Sequence, residues 1–472
     1  MLLCLLLASP TWSVSADLQI PELGDASSSM FSSEQEYQLG RGWLMAFRSE
    51  APIINDPLLT DYLEYLIYRL ASFSQLQDRR LELVVVDNKS MNAFAVPGGV
   101  VGVHNGMFLY AKDEDQLASV LSHELAHLSQ RHFARSVEQQ KNATITNLAA
   151  LLGALIIAAT AGGDAGLAAI TATQAASLES QLRFSRQNEQ EADRIGMLTM
   201  VNADMDPMAA AGMFEEMQRA SRYYSRPPEF LLTHPVTERR ISDARSRAAR
   251  YPKRKPQDNF EYHLMQARVQ LHFEKNVNAA IKRFRSEMIS DPELANAHRY
   301  GLALALTQAT RLDEAQQALE PLLQQDPQRI TYLLAQSNLW QINGQPKQAI
   351  EMLERQLRYN PGNHPLTMSY YEALLRVGDN AKAAKVLEAH TLLRPSDPEL
   401  WYQLAEVRGL SNDIIGLHQA RAEYFVLMGQ PDQAIRQLNY ALLEAGPNTA
   451  IGARLRQRIS EIQRWKETLD FK

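Results

Sequence analysis

Cysteine is almost absent from this chain. Its 472 residues include a single one, Cys4, inside an apolar leader. Once the leader is removed no disulfide can form and no thiol nucleophile is available, so stability must come from ordinary cores. Positive charge is not in excess either: 48 Lys and Arg stand against 54 Asp and Glu, a net charge of −6. There is no long basic run, and the aromatic residues are dispersed rather than interleaved with Lys and Arg. That excludes a nucleic-acid binder. Long uncharged runs are few, so the chain does not read as a polytopic membrane protein. What remains, 45% hydrophobic and 22% charged, is the composition of a folded soluble protein with room for two or three domains.

The first sixteen residues, MLLCLLLASPTWSVSA, have a short apolar core and a small-x-small site at Val14-Ser15-Ala16. They read as a secretory signal cleaved near Ala16, although the usual basic n-region is missing. Leu-Leu-Cys lacks the small residues of a lipoprotein cleavage box, so Cys4 is not read as lipidated.

The chain is organised around residues 121–132, LSHELAHLSQRH. His123-Glu124-Leu125-Ala126-His127 is an H-E-x-x-H pattern. On a helix, positions i and i+4 share a face, so the two imidazoles can hold one metal ion. Glu124 lies about 100° round the helix from His123 and can serve as general base for a metal-bound water. Asp113, Glu114 and Asp115 suit a helix N-terminus, and Leu117, Val120, Leu121, Leu125 and Leu128 supply an apolar face.

Two histidines do not complete a zinc site. The extension H-E-x-x-H-x-x-G-x-x-H fails, because Gln130 and Phe133 occupy the glycine and third-histidine positions. The third ligand must come from another element, and Asn188-Glu189-Gln190-Glu191-Ala192-Asp193 is the best candidate. On a helix Glu189 and Asp193 share a face while Glu191 points roughly opposite. Glu189 is assigned as third ligand to one zinc ion per chain. Asp193 is assigned to orienting a ligand histidine or carrying a proton near the scissile bond.

Upstream, residues 34–48 and 58–73 carry helical periodicity, and residues 81–86 form a β-branched run that reads as a strand. Residues 92–99 followed by 100–103 read as strand, tight turn and strand. A small sheet of this kind roofs a cleft, and its edge can pair with an extended peptide through main-chain hydrogen bonds.

Residues 92–99, 123–127 and 189–193 together resemble the gluzincin metallopeptidases that include the CAAX prenyl endopeptidases and bacterial membrane quality-control proteases. The likeness covers roughly residues 30–250. It implies zinc on His123, His127 and Glu189, with Glu124 as base. The family's His-Pro with an Arg six residues after the His falls on His234-Pro235 and Arg240. The resemblance places both side chains near the bound peptide and its developing oxyanion. A second role is open to His234. It follows Arg226-Pro227-Pro228, a loop that could lie over the cleft, and a neutral imidazole is a good zinc ligand. His234 can thus take the open metal position and hold the enzyme latent.

Residues 142–163 carry no charge, and 165–178 are again apolar and alanine-rich. A single membrane crossing would put Glu189 on the opposite side from His123. A helical hairpin over 142–178 remains, packed on the domain or in peripheral contact with a membrane surface.

Residues 251–257, YPKRKPQ, form a basic linker. Beyond it Ala280, Ala315, Ala349 and Ala383 are 35, 34 and 34 apart, and so are Pro292, Pro327, Pro361 and Pro395. This is the tetratricopeptide period: small residues let paired helices pack closely and proline closes the second. After residue 395 the phase breaks, yet Gly429 to Ala434 repeats the spacing of Gly344 to Ala349. The expected layout is a signal (1–16), a zincin-type metallopeptidase domain (17–250), a linker (251–257) and an α-solenoid of repeats (258–472), mainly α with one small β-sheet. By resemblance this combination belongs to a periplasmic branch of the family. Its implied partners are unfolded or stalled outer-membrane proteins and the β-barrel assembly machinery, met through the repeats. Two other readings are a repeat-based chaperone or scaffold with a vestigial metal site, which intact Glu124 opposes, and a general secreted protease.

Overall fold

The computed structural model describes residues 32–138, 185–223, 229–252, 260–446 and 448–470. The expected signal, the apolar run 142–178, the loop at Arg226-Pro227-Pro228 and most of the linker lie outside the described residues. Among the described residues, no helix is long and apolar enough to cross a membrane.

Two helices open the fold. In α1 (Ser33–Glu50), Ser32 and Gln35 form a reciprocal capping box. In α2 (Pro57–Phe73), Asp56 caps Leu58 and Leu59, and proline stands at the first position. Three strands follow: β1 (Glu82–Val86), β2 (Ala93–Val96) and β3 (Val100–His104). The sheet order is β1-β3-β2, with β3 parallel to β1 and antiparallel to β2. Gly98 (φ +83°) and Gly99 (φ +80°) make the β2–β3 turn. A Cβ on Gly98 would come within 2.5 Å of Glu36 O, so this turn requires glycine for both space and backbone.

The central helix α3 (Glu114–Ser129) is capped by Asp113 and buried over most of its length. After it come α4 (His132–Glu138), α5 (Arg186–Asn202), α6 (Met208–Tyr223), the single turn α7 (Glu229–Thr233) and α8 (Glu238–Ala248). Helix α3 packs against α5, α6, α2 and β2, so the H-E-x-x-H face lies at the centre of this unit.

Among the described residues twelve helices follow, beginning with four regular pairs, the first being α9 (Phe260–His272) and α10 (Val277–Ser290). Ala280, Ala315, Ala349 and Ala383 all lie on the second helix of a pair and are buried. Gly344, Gly378 and Gly429 adopt left-handed φ of 71°, 77° and 67° where one helix ends. The break in phase has a simple cause. Helix Pro398–Leu410 is inserted between the regular pairs and the glycine-marked junction of Ile414–Leu427 with Pro431–Ala445. One helix is half a unit.

The repeats are packed onto the peptidase unit through a shared core. Phe108 and Tyr262 stack with centroids 5.3 Å apart, and Tyr262 Oη donates to Ala111 O at 2.7 Å. Arg268 pairs with Asp56 at 2.6 Å, and Arg394 grips Glu64 through two contacts of 2.6 and 2.8 Å. Gly429 lies against Met45. The repeat array is thus fixed to the peptidase unit at several points. Removing the fully buried ring in Tyr262→Ala should destabilise by about 3–5 kcal/mol. Amide exchange should rise both in α9 and around residues 105–109. Exchange confined to α9 would show that the junction is energetically independent.

Candidate metal centre

Helix α3 projects His123 and His127 from adjacent turns, and α5 brings Glu189 against them. His234 enters from the residue after α7. Its N–H bonds Phe230 O at 2.8 Å, and its ring stacks on Phe230 with centroids 4.6 Å apart. Phe230 N–H in turn bonds Met91 O at 3.3 Å, tying this turn to the chain just before β2.

One donor atom from each of His123, His127, Glu189 and His234 lies within 4.8 Å of the other three, and all four residues are buried. His123 Nε2 is 3.0 Å from His127 Nε2 and 3.4 Å from His234 Nδ1. Glu189 Oε1 is 3.4 Å from His127 Nε2 and 3.0 Å from His234 Nδ1. Lone pairs facing one another at these distances repel unless protons or a cation lie between them. Ligands about 2.0–2.1 Å from a tetrahedral ion stand roughly 3.3 Å apart, so the donor set and its spacing fit a metal. Glu124, 1% exposed, stands beside the cluster with Oε1 3.7 Å from His234 Nε2. Burial raises its carboxyl above the ordinary range, as a group that takes up and returns a proton requires.

Asp193 Oδ1 is 3.0 Å from His123 Nδ1. Arg240 donates to both Asp193 oxygens at 2.7 Å, to Pro235 O at 2.9 Å, and pairs with Glu189 Oε2 at 2.8 Å. The family resemblance implies a place for Arg240 near a developing oxyanion. Here its guanidinium is occupied by two carboxylates and a carbonyl, and it braces α5.

Two residues outside the sequence-derived site join it. His132, fully buried, has Nδ1 2.9 Å from His127 Nδ1 and Nε2 3.1 Å from Glu191 Oε2, which also receives Arg135 at 3.1 Å. Glu191 was set aside as facing away from Glu189. It does face away, toward the far side of His127. His132 was visible in LSHELAHLSQRH, but helical spacing does not relate i and i+5. The contact arises because Arg131 adopts φ +50° between α3 and α4, held by its pair with Glu36 at 2.9 Å.

The electrostatics divide the imidazoles. Burial holds His127 well below the usual histidine range. For His123 burial acts in the same direction, but the hydrogen bonds and charges of Asp193 and Glu189 outweigh it and push the ring up to about 9. In the metal-free chain at neutral pH, His123 therefore carries a proton that an incoming metal must displace. The protonated form dominates below that value. Apparent metal affinity should accordingly rise about tenfold per pH unit as pH increases toward about 9, then level off. Competition titrations with a chelator of known affinity check this, and a flat profile would contradict it.

The Peptidase family M48 profile matches residues 57–248, and a Tetratricopeptide repeat profile matches residues 342–407. The chain is 35% identical over 467 residues to the "Beta-barrel assembly-enhancing protease" of Escherichia coli (strain K12), spanning 97% of this chain and 94% of that one. It is 32% identical to the protein of the same name from Yersinia pestis, over 95% and 92% of the two chains. The "Mitochondrial metalloendopeptidase OMA1" of Schizosaccharomyces pombe shares 33% identity over 182 residues, 39% of this chain and 51% of that one. Near full-length identity, a metallopeptidase unit around the H-E-x-x-H helix and the appended repeats lead to one conclusion: the chain belongs to the β-barrel assembly-enhancing protease family of M48 metallopeptidases.

Proposed function

We propose that this chain is a periplasmic zinc endopeptidase, exported by cleavage near Ala16, that assists outer-membrane protein assembly and degrades clients that stall. We assign residues 17–250 to the peptidase unit and 258–472 to the repeat unit. The buried convergence of His123, His127, Glu189 and His234 beside Glu124 carries this reading. The nearly full-length relatives support the cellular role through their name.

His123, His127 and Glu189 are the proposed zinc ligands. Bound there, zinc would lower the pKa of a water from about 15.7 to about 7. Glu124, buried beside the cluster, would hold a proton on its carboxylate and pass it to the leaving amine. Asp193 receives the Nδ1 proton of His123 and fixes that ring, while Arg240 holds Asp193 and Glu189 in place. Strand β2 lies at a sheet edge beside α3, where its main chain can pair with an extended client without regard to side chains.

His234 is the proposed latch. Its Nδ1 sits at hydrogen-bond distance from Glu189 and 3.4 Å from His123 Nε2, so with it in place all four donors of the cluster come from protein. A closed four-ligand site is the structural kind, whereas catalysis needs an open position for water. Client binding would move His234 away, and the repeats, through their contacts on α2, are the surface proposed to meet clients and the assembly machinery.

Glu124→Gln should retain metal and lose about 10²–10⁴-fold in peptide hydrolysis. The same variant, used as a trap in cells, should capture outer-membrane proteins identifiable by mass spectrometry. Recovery of unrelated soluble proteins alone would favour a general scavenging protease. His234→Ala should raise the basal rate per folded, zinc-loaded molecule. A fall would assign His234 to the transition state instead.

A further inference from the structure

The two histidines of α3 are held from behind in different ways. His123 meets a carboxylate directly, at Asp193. His127 meets a second imidazole, His132, which meets the carboxylate of Glu191, which meets Arg135. We propose that His132 and Glu191 are positioning residues that fix the tautomer and ring orientation of His127, so that its Nε2 always presents a lone pair to the metal. The inference rests on the metal site proposed above.

The argument is a proton count. His127 Nε2 faces the cluster, 3.0 Å from His123 Nε2 and 3.4 Å from Glu189 Oε1. A neutral imidazole that gives one nitrogen to a cation carries its proton on the other. His127 Nδ1–H must then donate to His132 Nδ1 across 2.9 Å, which requires His132 to be bare at Nδ1 and protonated at Nε2. That Nε2–H points at Glu191 Oε2, 3.1 Å away. Every donor has an acceptor. Reversing the chain fails at both ends. His127 would carry its proton toward the ligand cluster, and a bare His132 Nε2 would face a carboxylate oxygen. Glu191 Oε2, which accepts from both His132 Nε2 and Arg135 Nη1 at 3.1 Å, therefore sets the direction.

The backbone supports this assignment. A helix continued through residue 132 would carry His132 away from the face of His127. The chain instead turns at Arg131, whose φ of +50° is unusual for a residue with a side chain, and the turn brings the two Nδ1 atoms together. His132 is completely buried, where an imidazole without partners would be destabilising.

Full-length chains serve as the test, with Zn²⁺ as probe and chelator competition as readout, alongside thermal melting of the metal-free proteins. His132→Leu should weaken zinc binding by about 10–100-fold, the usual range for loss of an outer-shell partner. Glu191→Gln, at a partly exposed position that tolerates substitution, should weaken it by about tenfold, since an amide no longer dictates direction. His132→Asn is the rescue: its Oδ1 lies near the place of Nδ1 and accepts the same proton, so its affinity should stay within about threefold of the parent. This pattern supports the proposal even if His132→Leu fails to fold, because the Asn and Gln variants carry the comparison. Parent-like affinity in both His132→Leu and Glu191→Gln overturns it, as does His132→Asn binding as weakly as His132→Leu. A parent chain that binds no zinc would instead overturn the metal reading itself.

Discussion

Arg240 is the cation on which the centre depends. Two carboxylates, the buried Glu189 and the partly buried Asp193, stand one helical turn apart on α5. Unpaired, they would repel each other and take up protons. Arg240, itself 5% exposed, bridges them with contacts of 2.7 and 2.8 Å and accepts a further constraint from Pro235 O. Burial opposes charge on every member. The guanidinium nevertheless helps keep Asp193 ionised, and Asp193 Oδ1 lies 3.0 Å from His123 Nδ1. Because Arg240 lies on α8, and Pro235 follows His234, the same pair fixes the chain that delivers the fourth imidazole. Breaking a buried pair of this kind costs about 3–5 kcal/mol, and here the loss would fall on the ligand geometry as much as on stability.

Much of this arrangement could be read from spacing. His123 and His127, or Glu189 and Asp193, are related by one helical turn, and a turn is a local rule. Ala280, Ala315, Ala349 and Ala383 are related by the length of a helix pair, a rule of the same kind. What escaped reading was non-local or depended on backbone sign. The parallel pairing of β1 with β3 sets two segments side by side across an intervening strand, and alternation within either gives no hint of it. His132 sat in plain view five residues from His127, but only a left-handed Arg131 brings it back. The partner that stabilises that turn, Glu36, lies in the first helix of the chain. Arg240 is singled out by the family resemblance alone, and nothing in the sequence says that its charge is taken up by Asp193 and Glu189.

The repeat unit shows the same division. Its internal register was legible because each pair packs by the same small residues. Its docking was not, since Phe108 and Tyr262 belong to no repeating series, and neither do Glu64 and Arg394. A periodic sequence describes how units stack on one another. It is silent about the single aperiodic surface where the stack meets something else.

That surface has a mechanical consequence. The array touches the peptidase unit at its first helix through Tyr262, at its fourth pair through Arg394 and near its end through Gly429. It is supported like an arch, and an arch does not swing freely. A load applied to its crown is carried to the abutments. One abutment is the 105–109 turn, which joins β3 to the residues ahead of α3. Another is α2, which packs directly on α3. A load on the array between these points would therefore reach α2, which packs on α3, and the 105–109 turn that leads toward it.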